Sequence, residues 1–140
     1  MSYQLVPYLL MNGRAKEAIE YYQEALNAKV LFQQTFGEGP EDDSLKLTED
    51  EKELIAHSIL KIGDTKIMIA DMIPGLTIGS GNQLSICITT DDITLTKQLY
   101  ENLKKEGKVL IELNKIHFSP AWGMVTDKFG VTFQVYTNRK

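Results

Sequence analysis

One cysteine, one tryptophan and two histidines in 140 residues leave little room for several kinds of function. Cys87, being alone, can form no internal disulfide, which fits a reducing compartment. A basic surface is also missing. The net charge is −4, the isoelectric point is about 5.2, and lysines are interspersed with acids, so no nucleic-acid partner is expected. Apolar runs such as Ile67 to Ala70 are far too short to span a bilayer, so no membrane partner is expected either. Met1-Ser2-Tyr3-Gln4 shows no basic stretch leading into an apolar one, and a cytoplasmic location is the expectation. The sequence contains no Gly-rich phosphate loop, no Gly-x-Ser-x-Gly elbow and no Cys-x-x-Cys pair.

What is present reads as one ordinary domain built from two similar halves. Leu5 to Leu10 is an apolar run closed by the turn signal Asn12-Gly13. From Ala15, apolar residues recur at Ala18, Ile19, Tyr22, Ala25 and Leu26, the spacing of a helix with one buried stripe. Val30 to Phe36 reads as a strand. The segment from Glu38 to Asp43 is too acidic to pack, and Thr48 with Glu51 reads as a helix-capping pair. His57 to Ile62 and Thr65 to Ala70 read as a hairpin about Gly63-Asp64, whose residues can take the positive dihedrals of a two-residue turn. Pro74-Gly75 and Gly79-Ser80-Gly81-Asn82 look like a linker. The order then repeats: strand Leu84 to Thr89, a helix begun by Asp91 or Asp92 and closed by Gly107, strand Lys108 to Leu113, and a final hairpin turning at Asp127-Lys128-Phe129-Gly130.

Lys29-Val30-Leu31 and Lys108-Val109-Leu110 each follow their helix. Lys61-Ile62-Gly63-Asp64-Thr65 and Lys128-Phe129-Gly130-Val131-Thr132 each mark a hairpin turn. The identities are few, but the repeated order of strand, helix, strand, strand, strand is a stronger sign of duplication. The expected fold is therefore α+β. Two βαβββ modules, about 1–75 and 83–140 with a linker at 76–82, would form a curved mixed sheet around a cavity. Each module has one sheet face covered by its helix and one bare, so pairing bare faces would bury apolar surface and make a pocket. A homodimer is expected to brace such cavities and cover strand edges.

This architecture resembles the vicinal oxygen chelate superfamily of glyoxalases, extradiol dioxygenases and fosfomycin- and bleomycin-resistance proteins, and more closely its PhnB-like branch. The resemblance spans essentially the whole chain. It is carried by Ala15 to Tyr22, the His57-to-Asp71 hairpin, Phe118 with Trp122-Gly123, and Asp127-Lys128-Phe129-Gly130-Val131. Metal-dependent members draw ligands from the first and last strands of each module. On this chain the resemblance puts those positions near Pro7, near Ile67 or Met68, near Leu84 or Ser85, and at Gln134. Gln134 stands where a ligating glutamate is usual. A single neutral oxygen is a poor offer to a divalent cation, which takes several donors and usually anionic charge. No cofactor is therefore expected, and a divalent metal is kept as an alternative.

The candidate ligand-binding residues are His57, Trp122, Gln134, Phe118, Tyr136 and Asp71; no catalytic residue and no metal ligand is assigned. His57, at a strand start, is either a pocket base or ligand, or a polar strand end satisfied locally. His117 has the looser setting of a loop. Trp122, read as a loop residue after Pro120, either stacks on a planar ligand or simply closes the barrel end. Phe118 faces the same choice, and a core role is the commoner one. Asp71 is either a cavity acid or a turn residue at a hairpin end. Gln134 and Tyr136 share a strand face by the period of two. Cys87 reads as a small buried hydrophobe.

The first functional expectation is a metal-free small-molecule binder. The alternatives are a metalloenzyme of glyoxalase or dioxygenase type, with a non-standard site around His57 and Asp71 or Gln134, and a non-catalytic interaction module. The PhnB-like name implies phosphonate chemistry, yet Arg14 at a helix start and Arg139 near the C-terminus form no cationic cluster for a dianion. The label demethylubiquinone methyltransferase also travels with this branch, and no Gly-rich strand-to-helix turn suited to a methyl-donor nucleotide is present.

Overall fold

A computed structural model describes residues 4–39, 46–76, 79, 81 and 84–139. Two compact units, Met1–Gly79 and Ser80–Lys140, each have their own four-stranded sheet. Parts of the acidic segment and of the linker lie outside the described residues.

In the first unit β1 (Tyr8–Met11), α1 (Ala15–Ala25), β2 (Lys29–Thr35), β3 (Ile55–Ile62) and β4 (Thr65–Asp71) follow in chain order, and the sheet runs β1-β4-β3-β2. The second unit repeats this with β5 (Ile86–Thr90), α2 (Ile93–Lys104), β6 (Lys108–Ile116), β7 (Ser119–Thr126) and β8 (Thr132–Thr137), ordered β5-β8-β7-β6. β1 and β4 pair in parallel, as do β5 and β8, while the remaining pairs are antiparallel. The sheets are mixed because the helix returns the chain across the sheet after the first strand, whereas hairpins join the last three.

One face of each sheet carries its helix. α1 buries Ala15, Ala18, Ile19, Tyr22 and Ala25, whose small residues let the helix lie close to the sheet. Beneath it Leu60, Ile67 and Ile69 are buried, each contributing about 1.5–3 kcal/mol of transfer free energy if fully withdrawn from water. In the second unit Phe133 and Val135 are buried, and Thr137 Oγ1 donates to Thr96 Oγ1 of α2 at 2.7 Å. Thr90 Oγ1 is 2.8 Å from that same Thr96 oxygen, so β5, β8 and α2 share one buried hydroxyl cluster.

Several boundaries and roles differ from the sequence expectations. β1 starts at Tyr8, not Leu5, because only Tyr8 to Met11 finds partners on β4. β6 continues past Leu113 to Ile116, since its pairing with β7 runs to Ser119. Trp122 and Pro120 lie within β7 rather than on a loop. Cys87 on β5 is exposed, not buried, because it shares the helix-free face with its register partner Gln134. At the hairpin between β3 and β4 only Gly63 has a positive φ, +58°; Asp64 does not. After α2 the left-handed residue is Glu106, at φ +58°, rather than Gly107. Gly107 is required for another reason: a Cβ there would lie 2.5 Å from the Thr126 carbonyl oxygen. The Thr48–Glu51 capping pair is formed as expected, each side chain bonding the other's backbone N–H at 2.9–3.1 Å.

Candidate functional site

The helix-free face of the second sheet carries a contiguous cluster of polar and aromatic groups. Gln134 and Tyr136 of β8 lie on it, because Phe133, Val135 and Thr137 turn toward α2. The register places Met124 and Cys87 on either side of Gln134, and Trp122 and Thr89 on either side of Tyr136. Trp122 Nε1 donates to Gln134 Oε1 at 3.0 Å, and Gln134 Nε2 donates to Ser85 Oγ at 3.0 Å. The Phe118 ring stacks on Tyr136 (centroids 5.9 Å apart, planes 9° apart) and meets Trp122 edge-on at 5.3 Å. Tyr136 Oη donates to the Phe118 carbonyl at 2.9 Å, which locks the turn between β6 and β7 onto β8. Four of the candidate residues, Phe118, Trp122, Gln134 and Tyr136, are thus in one contiguous group. His117 stands beside it, its ring edge-on to Phe118 at 5.0 Å.

His57 belongs to the corresponding face of the first sheet. Its Nδ1 is 3.0 Å from the Tyr8 hydroxyl, and its ring lies 5.8 Å from both the Tyr8 and the Phe32 rings. Partial burial pushes the Tyr8 phenol pKa up, so the phenol stays protonated beside Nδ1. Tyr8 and Phe32 did not stand out in the sequence. The available signal was period two: Tyr8 and Leu10 alternate on β1, as Phe32 and Gln34 do on β2.

Asp71 is neither a cavity acid nor a turn residue. It is 4% exposed, and its two oxygens accept from the backbone N–H groups of Ala15 and Ile55, both at 2.9 Å. Arg14 at the start of α1 makes no side-chain cap, so Asp71 caps that helix from across the sheet. With both oxygens committed on the helix side, Asp71 cannot join His57, which bonds Tyr8 on the other face. Arg14 pairs with Glu17 at 2.8 Å on the surface.

The donor set does not fit the divalent metal that the fold implies. At the positions singled out by the resemblance, Pro7 offers only its carbonyl, which accepts from Met68 N at 2.9 Å. Ile67 and Met68 bring no oxygen or nitrogen side-chain donor. Gln134 and Ser85 are neutral and bonded to each other. Among the described residues no three His, Cys, Asp or Glu side chains cluster. A dication would find no anionic oxygen here.

Comparison with known proteins places this geometry in a lineage. Residues 3–136 match the family described as 3-demethylubiquinone-9 3-methyltransferase. Protein YjdN of Escherichia coli K12 is 31% identical over 138 residues, covering 94% of this chain and 92% of that protein. The crystal structure of PA1353 from Pseudomonas aeruginosa is 29% identical, covers 99% of this chain and 100% of its own, and superposes with a TM-score of 0.87. A glyoxylase/bleomycin resistance protein/dioxygenase domain from Frankia superposes at 0.71 with 14% identity, covering 100% of this chain and 94% of its own, which is a likeness of fold alone. A PhnB protein from Bacillus cereus superposes at 0.77 with 18% identity, covering 96% and 99% of the two chains. The chain belongs to the PhnB-like family described as 3-demethylubiquinone-9 3-methyltransferase, built on the glyoxalase/bleomycin resistance/dioxygenase fold.

Proposed function

We propose that the protein binds a small molecule without a metal, on the helix-free face of the second sheet, at the group formed by Trp122, Gln134, Phe118 and Tyr136. The observation that carries this reading is the pair of bonds fixing the Gln134 amide between Trp122 Nε1 and Ser85 Oγ. A glutamine held at both ends presents its remaining hydrogen-bonding capacity in one orientation, and the surrounding rings offer rigid apolar area at low entropic cost. His57, beside Tyr8 on the first sheet, is a separate candidate ligand contact belonging to the first unit alone. A homodimer is part of the proposal, since Leu31 and Phe32 on the edge strand β2 and Ile111 on the edge strand β6 are exposed. The name of the family does not carry a methyl-transfer reaction to this chain, because one fold hosts several chemistries.

A thermal-shift screen of small uncharged compounds tests the proposal. Compounds that bind the native state raise the melting temperature by mass action, and the rise is expected to shrink at least severalfold in Trp122→Ala and Gln134→Leu. A broad library with no stabilising compound contradicts it. Metal-stripped protein titrated with manganese, iron(II), nickel and zinc is expected to show no selective rise. A rise that His57→Ala removes would instead favour a metalloenzyme.

A further inference from the structure

We propose that Ser85 and Gln134 together recognise a neutral oxygen acceptor, of the aryl-ketone class, carried by a flat apolar ligand. This rests on the small-molecule reading above and names the ligand's chemistry. The reasoning starts at Trp122. An indole N–H can donate but not accept, so the Gln134 amide atom 3.0 Å from Nε1 must be the oxygen. The amide nitrogen is thereby turned to Ser85 Oγ, 3.0 Å away. An amide N–H has no lone pair to give, so Ser85 accepts and its own proton points elsewhere.

Two donors are left over: the second N–H of Gln134 and the O–H of Ser85. Among the described residues neither has a further partner. The two donor atoms are 3.0 Å apart, so one ligand oxygen can come within hydrogen-bond distance of both. A ligand acceptor completes the network, whereas a ligand lacking one leaves both donors dehydrated beneath it.

The surroundings select against charge. Cys87 and Met124 flank Gln134 in register, and Thr89 and Trp122 flank Tyr136; none carries a formal charge. Partial burial pushes the Cys87 thiol pKa up, although the residue keeps an exposed edge, so the thiol stays neutral. Among these four neighbours an anion would find no cation and a cation no carboxylate. The parallel Phe118 and Tyr136 rings and the edge-on Trp122 supply the wall along which a planar body lies.

Four matched probes test this on the full chain by ligand-observed NMR titration: 2-acetylnaphthalene, 2-isopropenylnaphthalene, 2-naphthoate and 1-(2-naphthyl)ethylamine. They share a ring system and differ in the group offered to Ser85 and Gln134. The ketone is expected to bind at least about fivefold tighter than the alkene of the same shape. Ser85→Ala, at the entry to β5, is expected to remove most of that difference, and Gln134→Leu to remove the rest. Equal affinity of ketone and alkene for the wild-type protein would overturn the acceptor inference and leave the small-molecule reading standing. Tightest binding by the naphthoate or the amine would overturn its neutrality. Failure of all four probes would remove the reading on which it rests.

Discussion

At the scale of single residues, the useful distinction is between polar groups that have finished their hydrogen bonding and those that have not. Asp71 has finished: its carboxylate serves Ala15 N and Ile55 N, and it is buried. Asp71→Ala would strand both amides, and a loss of about 2–4 kcal/mol is expected, read as a lower urea midpoint with an unchanged slope. Gln134 has not finished, which makes it the better functional residue although it is the milder chemical group. Gln134→Glu supplies the carboxylate that the resemblance to metal-dependent chelate proteins would place there. It should still bring no metal-dependent rise in melting temperature, because the neighbouring positions lack ligands. Gln134 and Tyr136 were legible together in the sequence from period two and a turn at Asp127. The long-range bonds were not, since Ser85 and Gln134 are 49 residues apart and only strand pairing joins them.

At the scale of elements, both helices were legible because their apolar stripes are strong, and both hairpins were announced by glycine turns. Errors came where pairing decides. Trp122 follows Pro120, which suggested a loop, but β7 accommodates Pro120 and continues through the tryptophan. The exit of α2 was misread in the same way. Gly107 drew attention as a helix stop, yet Glu106 takes the left-handed conformation and Gly107 makes the close approach to Thr126. Opposite mutational effects follow. Gly107→Ala must displace backbone and is expected to cost about 1–3 kcal/mol. Glu106→Gly relieves the positive φ and should stabilise by about 0.5–1 kcal/mol in chemical denaturation. The lost Lys128–Glu106 contact, 3.6 Å at an exposed glutamate, weighs little against that.

At the scale of the whole molecule, the same five-element plan occurs twice, each time with β-strand order first, last, third, second. Repetition was visible in the order of elements more than in residue identity, because sheet topology depends on hydrophobic period and turn position, not on particular side chains. The two halves have diverged in what their helix-free faces offer: a Tyr8–His57 couple on one and the Ser85–Gln134–Trp122 network on the other. No helix is long and apolar enough to cross a membrane among the described residues. The proposed homodimer predicts a mass of twice 15.8 kDa in sedimentation equilibrium; a single-chain mass at micromolar concentration would contradict it.

Because Trp122 is the only tryptophan, the protein has one indole N–H resonance, and that proton is the one bonded to Gln134. Following this single cross-peak during titration with 2-acetylnaphthalene reads the proposed site directly. A saturable shift, smaller or absent in Gln134→Leu, is the predicted result. A resonance that stays in place while the compound binds elsewhere, or does not bind, would contradict a ligand site at Trp122 and Gln134.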